Sequence, residues 1–232
     1  MKRLLKSPKK LIIATSIIFL SVLLILNIVK KNTLPKVTKN VVFQESPTLG
    51  RVDAPIHMVI FEEPSCKFCK EFNDYIFPEI KKKYIDTGIA SYSLIITSFF
   101  PGSDLAAEAL LCIYNSNSGK PNPVMFFEYL DLLFSVQGEE GTRWITTELL
   151  LSLLDKMKNK GNLTKDKLKK CLENRIYTDQ VKKNNSYGED LMNGELATPT
   201  MFINGIMLDD ISFESISRVV SKLLEKEGEK NA

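Results

Sequence analysis

Cys66 and Cys69, separated by Lys67 and Phe68, are the residues of this chain best suited to covalent chemistry. If a helix opens near Ser65, a three-residue step puts both sulfurs on one face, one turn apart, with Cβ atoms about 5–6 Å from each other. Small adjustments close that gap to disulfide distance. Cys69 runs in phase with Phe72, Ile76 and Ile80 and is expected to face the core. Cys66 is expected at the helix start, where that face meets solvent. A sulfur that attacks beside a sulfur that resolves is what thiol–disulfide exchange requires. Two other classes compete: a zinc- or copper-binding module, and an adaptor that only binds peptide. Structural zinc takes four ligands, and the chain has 4 cysteines and 1 histidine with no second closely spaced pair. Copper delivery calls for a nearby downstream His or Met pair, which is also missing, and the intact cysteine pair argues against a pure binder.

Other catalytic constellations are lacking. A Ser-His-Asp or Cys-His arrangement would have to use His57, which lies within an apolar run and reads as a packed strand residue. Neither G-x-S-x-G nor a phosphate-cradling glycine loop occurs. Glu139-Glu140 and Asp209-Asp210 sit in turns and read as solubilising or capping residues. Trp144 and the Phe126-Phe127 pair read as core or groove lining.

The reactivity of Cys66 is bounded by simple terms. A helix amino terminus favours the thiolate by about 0.3–2 kcal/mol. Lys67 adds to this if its ammonium turns toward the sulfur, and Glu62 and Glu63 oppose it. Together they put the Cys66 pKa around 6–7.5, well short of the ~3.5 of the strongest oxidants. An intermediate or reducing couple is expected.

Elements must position these sulfurs. Residues 56–61 form a short apolar run and so a buried strand, 66–86 a helix kinked at Pro78, and 89–97 a second strand. Strand–helix–strand implies parallel pairing. Helical periodicity then dominates over 103–115, 122–136, 144–159, 165–174 and 177–192. The breaks fall at Asn117-Ser118-Gly119-Lys120-Pro121, from Gly138 to Gly141, and at Gly161-Asn162. Residues 199–203 and 206–208 flank Asn204-Gly205, a strong hairpin signal, and Ser212 caps a closing helix. Cys112 and Cys171 lie on helices of the central block. They either close a loop of about 60 residues, worth perhaps 2–4 kcal/mol, or stay as two separately buried thiols.

Charge divides the chain. Residues 1–10 carry Lys2, Arg3, Lys6, Lys9 and Lys10 and no acid. Residues 11–29 are uncharged and mostly Leu, Ile and Val. At about 1.5 Å per residue they reach roughly 28 Å, close to a bilayer core of about 30 Å. With Lys30 and Lys31 behind them and no small-x-small cleavage site, they read as an uncleaved anchor whose amino terminus stays in the cytoplasm, with a cleaved signal peptide as the competing reading. All 28 acidic residues and 24 of the 31 basic ones follow Lys31, so the exported part carries a net −4 despite the +3 of the whole chain. The basic balance belongs to the anchor and says nothing of nucleic acid. Residues 30–48 are polar, with Pro35 and Pro47, and read as a tether.

At this point the chain resembles the DsbA-like thioredoxin family. The resemblance spans residues 48 to about 226 and rests on four stretches. They are Pro47-Thr48-Leu49-Gly50 with Asp53-Ala54-Pro55, Cys66-Lys67-Phe68-Cys69, Ala106-Ala107-Glu108-Ala109-Leu110-Leu111-Cys112, and Ala197-Thr198-Pro199-Thr200-Met201-Phe202-Ile203-Asn204-Gly205. It implies an α/β thioredoxin fold with an inserted helical subdomain, here preceded by one transmembrane helix. The thioredoxin-like domain would take residues 49–102 and 194–232, and the insertion residues 103–193. The resemblance also implies a cis bond between Thr198 and Pro199 facing the cysteines, with backbone there pairing substrate as a strand. It favours a Cys112–Cys171 bridge. The Lys67-Phe68 dipeptide departs from the Pro-His of the strongest oxidants and is expected to tune the couple. The acid that some relatives bury six residues before the first cysteine falls on Ile60, leaving Glu62 and Glu63 as substitutes.

The expected function is thiol–disulfide exchange on cysteines of exported proteins through a mixed disulfide, from a single-pass anchor in the bacterial inner membrane with the catalytic domain in the periplasm or outside. No bound cofactor is needed, but a membrane redox partner must restore the resting state.

Overall fold

The computed structural model describes residues 8–32, 41, 45–116 and 120–230. The expected basic tail up to residue 7, much of the tether, and Asn117, Ser118 and Gly119 of the first helical break lie outside the described residues. The chain divides into two compact units, Met1–Pro35 and Lys36–Ala232.

The first unit is helix α1, Pro8–Asn32. Side chains within it are described over 12–24, and those apolar side chains are exposed. Among the described residues no helix is long and apolar enough to cross a membrane. A span needs about 20 apolar residues, so the expected anchor over 11–29 receives no support from the structure.

The second unit is built on a five-stranded sheet in the order β1-β3-β2-β4-β5. Strand β2 (Ile56–Glu62) lies at its centre and is buried at every position but His57, which is why its sequence is nearly continuous apolar rather than alternating. It pairs in parallel with β3 (Ala90–Ile96), from Ile56 opposite Ala90 to Glu62 opposite Ile96. It pairs antiparallel with β4 (Thr200–Ile203). Asn204 and Gly205, both at positive φ (46° and 78°), make the two-residue turn to β5 (Ile206–Met207). The Asn204 side chain accepts from the His57 amide and donates to the Pro55 carbonyl, pinning the turn to the start of β2. His57 is a packed strand residue whose Nδ1 lies 2.8 Å from the Ser91 hydroxyl.

The first crossover differs in detail from one kinked helix. Helix α2 runs Lys67–Tyr75, α3 Phe77–Ile80, and a π-helical turn Lys81–Ile85 completes it. Pro78 sits in the first turn of α3, where its missing N–H costs no hydrogen bond. The break therefore falls upstream, at Ile76.

The insertion comprises α4 (Ser103–Tyr114), α5 (Pro123–Ser135), α6 (Thr147–Lys156), α7 (Lys165–Glu173) and α8 (Thr178–Leu191). Asn122, Thr146 and Thr164 accept from the third amide of α5, α6 and α7, respectively. The Thr146 cap starts α6 three residues later than the periodicity predicts, and leaves Trp144 in the preceding loop. Helix α4 is the hub, packed against α5, α6, α7 and α8. Helix α9 (Phe213–Lys230) closes the fold on β2.

Part of the segment expected as a tether packs on this unit. Val41 is buried with Val59, Phe61 and Phe202, and β1 (Thr48–Leu49) pairs antiparallel with β3.

Candidate active site

Strand β2 delivers the chain to the cysteines at its carboxyl end. There Glu63 folds the turn: its carboxylate accepts from the Ser65 amide and its carbonyl from the Cys66 amide. Cys66 then occupies the cap position before α2, with extended backbone (φ −72°, ψ 119°), so the helix opens at Lys67 rather than Ser65. Cys69 is fully buried, as its phase requires. Cys66 is only 4 % exposed, which corrects the expectation that it meets solvent. The Thr198–Pro199 segment is what covers it: the Cys66 thiol donates to the Thr198 carbonyl at 3.4 Å, and that peptide bond to Pro199 is cis. Both thiols are free.

Their environments push the two sulfurs in opposite directions. Cys66 is drawn from an ordinary 9.0 to about 6. A hydrogen bond from Cys69 is the largest cause, against the penalty of burial. Thr198 and the backbone N–H groups of Cys69 and Phe68 add to it. These N–H groups are the second and third of α2, the ones a capping oxygen normally takes. The Thr198 hydroxyl is buried without a hydrogen bond of normal geometry, which leaves it free to donate to a thiolate. Cys69 is pushed well above the usual thiol range by burial, by its bond to Cys66 and by the charge of Glu62.

Lys67 and Phe68, expected to tune the couple, face different neighbours. The Lys67 ammonium turns to Glu71, 3.6 Å away, rather than to the sulfur. Phe68 is 62 % exposed and lines a groove of about 460 Å³ with Phe72, Tyr75, Pro199 and Ile211.

Two acids complete the site. Glu62, fully buried, is raised to about 8, first by burial, with the Cys66 and Asp131 charges adding; its bond from the Tyr92 hydroxyl acts the other way. Glu63 is raised to about 7 by burial, and bonds from Ser103 and the amides of Ser65 and Phe100 resist the rise. The sequence nominates both acids only as substitutes for a displaced one. It reads Glu140 as a solubilising or capping residue and Trp144 as core or groove lining, and gives no signal for Gln137; all three lie on the loop between α5 and α6. Gln137 donates to the carbonyls of Pro64 and Cys66, Trp144 to the Ser65 hydroxyl, and Glu140 accepts from the Lys67 amide.

Cys112 and Cys171 are joined by a disulfide between α4 and α7, away from these residues in the chain and bordering a separate cavity of about 190 Å³. Among the described residues no group of three His, Cys, Asp or Glu could hold a metal ion, so the Cys66–Cys69 pair has no third ligand there.

Comparison with known proteins converges on one group. A family model described as Thioredoxin matches residues 43–222. The disulfide bond formation protein D of Bacillus subtilis (strain 168) is 32 % identical over 181 residues, 77 % of this chain and 77 % of that one. The crystal structure of Chlamydia trachomatis DsbA matches with a TM-score of 0.74 at 38 % identity, over 82 % of this chain and 97 % of that one. Oxidised BdbD from Bacillus subtilis matches with a TM-score of 0.69 at 29 % identity, over 84 % and 97 % of the two chains.

Proposed function

The chain belongs to the DsbA-like thiol–disulfide oxidoreductases of the thioredoxin family and is an enzyme of that kind; from this premise we propose that Cys66 exchanges disulfides with cysteines of exported proteins through a mixed disulfide. The observation that carries the reading is a pair of free thiols three positions apart, Cys66 against the Thr198 carbonyl and Cys69 fully buried, whose surroundings draw Cys66 down to about 6 and push Cys69 upward. At neutral pH Cys66 is then the better leaving group and nucleophile, and Cys69 remains a thiol.

The steps balance as follows. A substrate thiolate attacks Sγ of Cys66 in the Cys66–Cys69 disulfide, and the pair of electrons in the broken bond goes to Cys69. Cys69, with its high proton affinity, takes up a proton, and Glu62 is the buried acid within electrostatic reach to give it. A second substrate thiolate then attacks the substrate sulfur of the mixed disulfide and expels Cys66 as a thiolate. The substrate loses two electrons and the Cys66–Cys69 pair gains them. Thr198 and Pro199 hold the substrate strand beside Cys66, and the apolar groove flanked by Phe68 receives its side chains.

The name of the Bacillus subtilis relative supports this disulfide-donating direction. A Cys66 pKa of about 6 supports an intermediate potential, inside the span of about −270 to −120 mV covered by known couples. A second protein, a membrane redox partner, restores the disulfide.

The uncharged run at 11–29 and its basic flanks support a membrane anchor with residues 1–10 in the cytoplasm and the catalytic domain outside the inner membrane. Residues 49–102 and 194–232 then form the thioredoxin-like domain around the 103–193 insertion, with disulfide Cys112–Cys171 as its brace.

Cysteine-to-serine variants of the purified protein test the reading. Cys66→Ser is expected to lose dithiol oxidation of a two-cysteine peptide by at least a hundredfold. Given the same peptide in its disulfide form, Cys69→Ser is expected to accumulate a mixed disulfide at Cys66, with the second peptide sulfur leaving as a thiolate, seen as added peptide mass. Full activity of Cys66→Ser would refute the assignment.

A further inference from the structure

We propose that Glu140, on the loop that the helical insertion lays across the start of α2, limits the oxidising strength of the Cys66–Cys69 couple by competing with Cys66 for the amide end of that helix.

The amide end of α2 is divided between two anions. The N–H groups of Phe68 and Cys69 serve the Cys66 sulfur. The first N–H, that of Lys67, instead goes to Glu140 Oε2 at 2.9 Å. A carboxylate and a thiolate at one helix terminus draw on the same partial charge, and as like charges they disfavour each other. Lys67 does not offset this, because its ammonium is directed at Glu71. Among the described residues, the ionisable groups coupled to Cys66 include Cys69, Glu62 and Glu63, all buried.

The loop is built to hold that carboxylate in place. Gln137 binds the carbonyls of Pro64 and Cys66 at 2.9 and 3.1 Å, and Trp144 binds the Ser65 hydroxyl at 3.1 Å. Between them, Thr142 closes a turn through its amide and hydroxyl onto the Glu139 carbonyl. Gly138 lies so close to Trp144 that a Cβ there would fall 2.5 Å from the ring, so the two ends of the loop meet. Residues 64–67 are thus contacted one after another by residues 137–144. Glu140 is the one carboxylate in that series bonded to the helix.

The inference rests on Cys66 being the sulfur that forms the mixed disulfide. Glu140 is exposed, so substitution there leaves the core intact. Glu140→Gln keeps an acceptor and removes the charge; Glu140→Ala removes both. In each variant the ultraviolet titration of the Cys66 thiolate is expected to move down by about 0.3–0.7 pH unit. Equilibrium with glutathione is expected to shift two- to fivefold toward the reduced protein, about 9–20 mV at 29.6 mV per tenfold. If neither variant moves either quantity, the inference is overturned. If only Glu140→Ala moves them, occupancy of the Lys67 amide sets the effect, so the like-charge part is overturned and the competition for the amide stands. Loss of exchange in Cys66→Ser alongside unmoved Glu140 variants removes the tuning role alone; persistence of exchange in Cys66→Ser removes the reading beneath it.

Discussion

The side-chain amide of Gln137 donates to the carbonyl oxygen of Cys66 at 3.1 Å, joining residues 71 positions apart. The same amide serves the Pro64 carbonyl, so one residue of the insertion fixes both sides of the turn that carries Cys66. The helical subdomain therefore helps to shape the thiol's surroundings.

Removing that amide is expected to cost stability and speed together. Gln137→Ala leaves two partly buried carbonyls short of a donor, a loss of about 1–2 kcal/mol. Urea unfolding measures the first effect, and the rate of Cys66 alkylation at pH 7 measures the loosened turn. An unchanged urea midpoint would contradict the role given to Gln137.

The split between the two thiols predicts how the potential depends on pH. Cys66 is lowered to about 6, while Cys69 stays protonated far above that. Reduction then takes up two protons below pH 6 and one above it. The slope is expected to fall from about 59 to about 30 mV per pH unit near that point. For stability the sign is that of a lowered acid: the thiolate favours the reduced folded state above the ordinary thiol range, and that advantage is lost as pH falls through about 6. Redox equilibria with glutathione across pH 4.5 to 8.5 check both.

Glu62 gives the opposite sign. Its folded pKa of about 8 lies above the ordinary 4.5, so its contribution to stability is intact below 4.5 and is lost as pH rises toward 8. Glu62→Gln removes an ionisable group that resists burial and keeps an acceptor for Tyr92. It is expected to stabilise the protein at pH 7 by on the order of 1–3 kcal/mol and to flatten the rise in melting temperature on acidification. Peptide oxidation by the same variant is expected to slow at the step that protonates Cys69. A melting profile as steep as that of the wild type would rule out Glu62 as its source.

The disulfide between Cys112 and Cys171 spans 59 positions and ties α4 to α7. Replacing both cysteines by serine is expected to lower unfolding free energy by about 2–4 kcal/mol. Denaturant titration of the double variant measures it directly.

The sheet and the hairpin were readable from the chain because local chemistry dictates them. Ile56–Phe61 has no polar residue but His57, so it suits a strand covered on both faces, and Asn204-Gly205 supplies the two positive φ angles its turn needs. Strand β1 was hidden because Thr48 and Leu49 are too few to show a period, and only the partner β3 defines them. The near-complete burial of Cys66 was hidden for a similar reason: the cover comes from Thr198, 132 positions away. Trp144 is legible as core or groove lining and Glu140 as a solubilising or capping turn residue, but what either touches is not. Nothing within ten positions of either points to Ser65 or Lys67.

One property of the sheet bears on the company this protein keeps. Its two boundary strands, β1 and β5, contain two residues each. Long bare margins invite foreign backbone to add on and begin aggregation. Margins this short give a passing strand of another polypeptide almost nothing to grow from.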